Sequence, residues 1–134
     1  MPIEIEFDDG LKLLRGTYSG VLDDALLIYG TQTLVKFANQ LHPRHVITDL
    51  SPASFKVGAE TVRQLASRPL PSLRGIVRVI VAASDLAFGM ARMFEITGAE
   101  TRGKMHVVRT MQQAYDLLEI KGEPNFKKLK IDPS

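Results

Sequence analysis

The hydrophobic pattern over residues 74–97 changes period without losing its apolar character. Residues 76–83 form an almost continuous apolar, β-branched run, typical of a strand that is covered on both faces of a parallel sheet. From Ser84 the apolar positions recur at helical spacing. Ser84 is a suitable N-cap, and Asp85 suits the positive end of the helix dipole. The stretch predicts a strand that leads directly into a helix.

The N-terminal part of the chain predicts a hairpin followed by a helix. Apolar and acidic residues alternate over 3–7, Asp-Asp-Gly at 8–10 is a turn sequence, and residues 11–19 resume an extended pattern. Residues 22–41 carry apolar positions on one helical face. His42-Pro43 ends this helix, because a residue before proline is driven out of the α region.

The remaining segments alternate between strands and helices. In order, the pattern predicts a strand at 45–50, a loop at 51–58, a helix at 59–67, a loop between Gly98 and Gly103, a strand at 104–109 and a capped helix at 110–119. Residues 121–134 show no sustained apolar period and predict a mobile C-terminal tail. Right-handed crossovers make the later strands parallel. Residues 1–120 therefore predict a single α/β domain: a mixed sheet with an N-terminal antiparallel hairpin, parallel core strands and helices.

Composition narrows the class of protein. The 134 residues suffice for one domain with a substantial core, and 45% hydrophobic with 24% charged residues is typical of a folded chain. The net charge of +2 gives little support for nucleic-acid binding, and the lack of cysteine excludes disulfides and thiolate chemistry. The acidic N-terminus is unlike a signal peptide, and no apolar run approaches the roughly 20 residues of a membrane span. We expect a cytoplasmic protein.

Several segments together resemble the STAS-like (SpoIIAA-like) family, the domains similar to anti-sigma-factor antagonists. They are His45-Val-Ile-Thr-Asp-Leu-Ser51, the loop with Ser54-Phe55, the strand at 76–83, residues 85–95 and Val107-Val-Arg-Thr110. The resemblance covers roughly residues 1–120. It implies a mixed sheet with packed helices, no catalysis, and function through binding of a partner protein or a small ligand.

The resemblance also bears on regulation and on ligands. In phosphorylated antagonists a serine at the start of the next helix is modified, and the matching position here falls near Gly58. Val57-Gly58-Ala59 offers no hydroxyl, and the nearby Ser54 and Thr61 do not occupy the matching place. The family's fold is similar to that of the CRAL-TRIO lipid carriers, which keeps an apolar ligand in view by analogy.

The candidate binding residues lie at two strand ends and along the following helix. Open α/β sheets bind ligands where parallel strands end, although polar residues there also act simply as caps, which is the simpler interpretation. The helix residues, with Met90 and Phe94, suit either an apolar pocket or ordinary core. The full candidate set is Asp49, Ser51, Ser54, Ser84, Asp85, Phe88, Gly89, Arg92 and Met93.

Enzymatic and metal chemistry find little support in the sequence. His42, His45 and His106 lack an acidic partner at ligand spacing, and neither a Gly-x-Ser-x-Gly elbow nor a Gly-rich phosphate loop is present. We therefore predict no catalytic residues, no metal and no cofactor. Arg78 interrupts the apolar strand and needs either a carboxylate or the open side of the sheet.

The leading functional hypothesis is a non-enzymatic regulatory module that binds an unidentified protein partner. The alternative is a carrier or sensor of a small apolar or lipid-like ligand held against the helix that contains Phe88 and Phe94. A third hypothesis is a hydrolase whose active site contains His45, Asp49 and Ser51. The oligomeric state stays open, with a homodimer among the alternatives.

Overall fold

A computed structural model describes residues 2–68, 73, 75–102 (backbone alone for 99–102) and 104–131. The strands are β1 (Ile3–Asp8), β2 (Leu13–Tyr18), β3 (Gly20–Leu22), β4 (His45–Asp49), β5 (Ala53–Phe55), β6 (Val77–Val81), β7 (Met105–Val108) and β8 (Lys127–Leu129). The helices are α1 (Asp24–Leu41), α2 (Ala59–Ser67), α3 (Asp85–Arg102) and α4 (Met111–Leu117).

The main sheet has six strands in the order β7-β6-β4-β2-β1-β8. Strands β1 and β2 form the predicted antiparallel hairpin, whereas β2, β4, β6 and β7 run parallel to one another. The predicted α/β fold with a mixed sheet is therefore confirmed. Strands β4 and β6 are direct neighbours, with Val46 opposite Arg78 and Thr48 opposite Ile80.

The two faces of the main sheet build two separate cores. One core joins the sheet to α1, α2 and α3, through residues such as Val46, Ile80 and Ala91. The other packs Ile47 and Val79 against α4. Because successive side chains of a strand point to opposite faces, the even-numbered residues of β4 and β6 face the three longer helices.

Helix α1 begins and ends close to its predicted limits. The N-cap Asp23 accepts a hydrogen bond from the Leu26 N–H at its Oδ1 (2.9 Å). At the other end, His42 takes a left-handed conformation (φ 50°) immediately before Pro43. The proline thus ends the helix at the predicted residue.

Two predicted loops contain regular structure. Residues 51–58 were expected to form a loop, but Ala53–Phe55 is strand β5, which pairs in parallel with β3. The loop expected from Gly98 is wrong as well, because α3 continues to Arg102; Gly103 lies outside the described residues. Glycine inside a helix costs only about 1 kcal/mol, which the packing of a buried residue such as Gly98 offsets.

The C-terminal segment, expected to be a mobile tail, contributes an edge strand to the main sheet. Lys127–Leu129 pairs antiparallel with β1, and the guanidinium of Arg15 lies 3.9 Å from the ring centroid of Phe126. Strand β8 has only three residues, two of them lysines, so its sequence shows no alternation of apolar and polar positions. Residues 132–134 lie outside the described part of the chain.

Asp8 connects the hairpin to this C-terminal segment. Its Oδ1 accepts the Leu11 N–H (3.0 Å) and its Oδ2 accepts the Asn125 N–H (2.7 Å). The hydrogen bond from Leu11 and then that from Asn125 hold the pKa of Asp8 below its ordinary value. A lowered folded-state pKa means that ionised Asp8 stabilises the fold above its unfolded-state pKa. That stability is lost as the pH falls through the folded-state value.

We predict that Asp8→Asn loosens the C-terminal segment and reduces the acid sensitivity of the fold. The Asn125 amide and the β8 amides should exchange with solvent faster at neutral pH, as measured by hydrogen exchange. The stability of the variant should also fall less steeply than that of the wild type between about pH 5 and pH 2, the range in which aspartates titrate. Unchanged exchange at Asn125 and β8 would contradict this role of Asp8. The exposed Asp9→Asn serves as the control.

Candidate functional site

The polar residues predicted at the strand ends share one edge of the sheet, where most of them serve local structure. The Leu50 N–H donates to the Val81 carbonyl (2.9 Å), which joins the ends of β4 and β6. Asp49 Oδ1 accepts the Ser51 N–H (3.0 Å), and Ser84 Oγ caps α3 by accepting the Ala87 N–H (3.1 Å). These are the contacts expected of capping residues.

An ion pair at this edge involves a residue outside the nine predicted binding residues. Arg109, just after β7, donates from Nη1 to Asp85 Oδ1 (2.8 Å) and to the Ala83 carbonyl (3.1 Å). Its guanidinium carbon lies 4.1 Å from the ring centroid of Phe88. The carboxylate of Asp85 is almost fully exposed, so the pair contributes little to stability. The ion pair is difficult to predict from the sequence, because Asp85 and Arg109 are 24 positions apart.

The other predicted residues occupy outer or local positions. Ser54 is exposed on β5, and Arg92 forms an ion pair with Glu95 one turn along α3. Gly89 is exposed, and a Cβ added there would meet no atom within 4 Å, so no close approach requires this glycine. Met93 packs against the core of the three longer helices.

A cavity of about 110 Å³, accessible to the centre of a water-sized sphere, lies between the main sheet and α1, α2 and α3. On the same measure one water needs roughly 10–15 Å³. None of the nine predicted residues lines it, although Met90 and Phe94, from the same predicted apolar set, do. The described lining residues are Tyr18, Leu27, Thr31, Leu34, Val35, Ala38, Val46, Thr48, Leu50, Phe55, Val62, Leu65, Leu73, Arg78, Ile80, Met90, Ala91, Phe94 and Met105.

Arg78 contributes the single charge among the described side chains that line the cavity. It lies on the helix-covered face of β6 and is only 6% exposed, so it does not lie on an open side of the sheet, which was one of its two expected environments. Burial lowers the pKa of Arg78 to about 10. The guanidinium therefore still carries its positive charge at neutral pH, inside a mostly apolar space.

Tyr18 forms part of the cavity wall and depends on a glycine in α1. Its side chain is fully buried and hydrogen-bonded to Thr31, and burial raises the pKa of Tyr18 well above its ordinary value. A Cβ on Gly30 would lie 2.1 Å from the Tyr18 Oη. Gly30 therefore leaves space for the Tyr18 side chain. From the sequence alone this glycine is recognised only as a residue of low helix propensity within α1.

We predict opposite effects for two glycine substitutions inside helices. Gly30→Ala should destabilise the fold by about 1 kcal/mol, because overpacking of about 1–3 kcal/mol against Tyr18 outweighs a gain in helix propensity of about 1 kcal/mol. Gly89→Ala should stabilise it by about 0.5–1 kcal/mol, since the new methyl group meets nothing. Urea unfolding of both variants measures the difference. A stabilised Gly30→Ala would contradict the packing described for Tyr18.

The described residues give no sign of a metal centre or a membrane span. They contain no group of three or more His, Asp or Glu side chains that could hold a metal ion. Within the same ranges, no helix combines the length and the apolar character needed to cross a bilayer.

The chain matches no protein-family model, and a search of the curated proteins returns no match.

Proposed function

We propose that the protein binds the apolar part of a small organic molecule in the cavity beneath α1 and α3, and acts as a carrier or sensor of that molecule. The observation that carries the proposal is the cavity itself, with its largely apolar wall. Small-molecule sites are typically concave and apolar, with a few polar groups that orient the ligand. No bond is made or broken in this function.

The size of the cavity favours an occupant over an empty imperfection of packing. Protein interiors are close-packed, and voids larger than a water molecule are few. The cavity is partly open at the surface, so an apolar ligand would gain free energy by displacing water from its apolar wall. A ligand that fills the space would recover the missing contacts.

The lining is suited to an irregular ligand. Met90 and Met105 approach the space from α3 and β7, and methionine adapts to irregular shapes because its side chain is flexible and polarisable. Phe55 and Phe94 add aromatic surface. Ala91, a small buried residue of α3, leaves room that a larger side chain would fill.

We predict that Ala91→Leu blocks ligand binding while leaving the fold intact. The probe is 1-hexanol, and binding is followed through the methyl resonances of Leu34, Val46 and Ile80 in methyl NMR spectra. The wild type should show saturable shifts, and Ala91→Leu should show none because three added carbons fill the space. Met93→Leu is the control, since Met93 lies on α3 outside the lining and the change conserves volume.

Two outcomes would contradict the proposal. One is the absence of saturable shifts in the wild type with both 1-hexanol and hexanoate. The other is equal binding by Ala91→Leu and the wild type, which would place the site elsewhere. Native mass spectrometry of freshly purified protein complements the titration, because a carrier should retain a small molecule that Ala91→Leu does not.

A second candidate function is the non-enzymatic, STAS-like regulatory module that binds another protein. It is favoured by Leu86, which is 61% exposed at the start of α3, next to the ion pair of Asp85 and Arg109. Large apolar side chains next to charged groups are common in protein interfaces. The strand-end residues Ser51 and Ser84 would then lie at the margin of the contact.

We predict that Leu86→Glu abolishes recovery of a protein partner under native conditions. Ile96→Glu is the matched control, because Ile96 is similarly exposed on the same helix. If both variants recover the same proteins as the wild type, Leu86 takes no part in a regulatory interface and the second candidate loses its support.

A further inference from the structure

We propose that the protein has a second binding site, at the amino ends of β4 and β6, which takes the phosphate group of a phosphate monoester. The site is an open groove of about 560 Å³ on the measure used for the cavity, lined by residues 38–39, 42–45 and 75–77. Among the described residues its lining shares only Ala38 with that of the cavity. The inference therefore does not depend on the proposed carrier function.

Two turns of the backbone form the walls of the groove. His42 ends α1 in a left-handed conformation, and the buried Pro43 follows it. On the other side, Gly75 has a φ of 83° and precedes β6. The Val77 N–H donates to the Arg44 carbonyl (3.3 Å), which holds the two segments side by side. The groove is therefore part of the same sheet edge at which β4 and β6 begin.

The groove has positive charge without a negative counterpart. Arg44 in its lining and Lys104, just before β7, are both exposed, and neither forms an ion pair within the part of the chain that the structure describes. Because β6 lies between β4 and β7, these two cations flank its first residues. The described lining contains no carboxylate. The C-terminus of α1 adds only about half a negative charge, which two full charges outweigh.

Neutral hydrogen-bond donors accompany the cations. His45 Nδ1 is enclosed and has no hydrogen-bond partner among the described residues. Burial, and then the nearby charge of Arg44, lower the pKa of His45, so its imidazole is neutral at neutral pH. When its one proton is on Nε2, His45 can donate to a ligand in the groove. His42 and the side-chain amide of Asn39, both exposed in the lining, add further donors.

A phosphate monoester fits this arrangement better than a carboxylate does. It carries up to two negative charges at neutral pH, which match the two cations, and it has three terminal oxygens that accept strong hydrogen bonds. The donors around the groove come from separate segments and so approach from several directions. A carboxylate has two oxygens in one plane and is best matched by a single planar fork.

The test titrates the wild type with inorganic phosphate and with glycerol 3-phosphate at neutral pH and constant ionic strength. Saturable shifts are expected in NMR spectra at the imidazoles of His42 and His45 and at the amide of Gly75. Arg44→Gln should weaken both affinities about tenfold, the value of a hydrogen bond to a charged group. Arg63→Gln removes an exposed arginine of α2 outside the groove and should bind like the wild type.

Vesicle sedimentation distinguishes the two sources of a phosphate monoester. The wild type is mixed with vesicles of phosphatidylcholine alone or with added phosphatidic acid. Sedimentation with phosphatidic acid alone, lost in Arg44→Gln, would identify a lipid headgroup as the ligand. Saturable binding of glycerol 3-phosphate without sedimentation would identify a soluble ester.

Two results would overturn the proposed phosphate site. One is the absence of saturable shifts in the wild type with either phosphate, a measurement that needs no variant. The other is equal affinity of the wild type and Arg44→Gln, which would place the bound phosphate elsewhere. Neither result bears on the cavity, because 1-hexanol binding is followed separately at Leu34, Val46 and Ile80.

Discussion

The parallel pairing of β4 with β6 is the constraint on which the site depends. The pairing places Val46 opposite Arg78 and Thr48 opposite Ile80, so these four side chains share the sheet face that α1, α2 and α3 cover. A slip of one residue would turn Arg78 toward α4 and Val79 toward the cavity. The charge and the space lie together because of this register.

The face of the sheet that the three longer helices cover is less closely packed than a core with a purely structural role would be. It contains a charged guanidinium, a cavity and a helix, α1, in which Gly30 replaces a stronger helix former. The opposite face shows the usual solution, since Ile47, Val79 and the residues of α4 form a second apolar cluster. Natural proteins depart from local rules mainly at functional or strained sites, which is consistent with a site on the first face.

The sequence predicted secondary structure best where the hydrophobic pattern extends over many residues. It predicted least where segments far apart in the chain come into contact. The apolar run at 76–83 and the helix after Ser84 predicted β6 and α3 well, because each pattern is local. Strands β3, β5 and β8 have three residues each, too few for an alternation to stand out. Arg78 was recognised as an exception, but the wall around it comes from segments far apart in the chain, including Tyr18, Thr31 and Met105. The usual rule for open sheets pointed to the strand ends, while the cavity lies beneath the helices.

The most direct test locates 1-hexanol on the protein. Intermolecular nuclear Overhauser effects between unlabelled 1-hexanol and ¹³C-labelled protein report which protons lie close together. We expect contacts from the carbon chain of 1-hexanol to the methyl groups of Leu34, Val46 and Ile80, which line the cavity. Contacts confined to exposed residues such as Leu86 would contradict the proposed site.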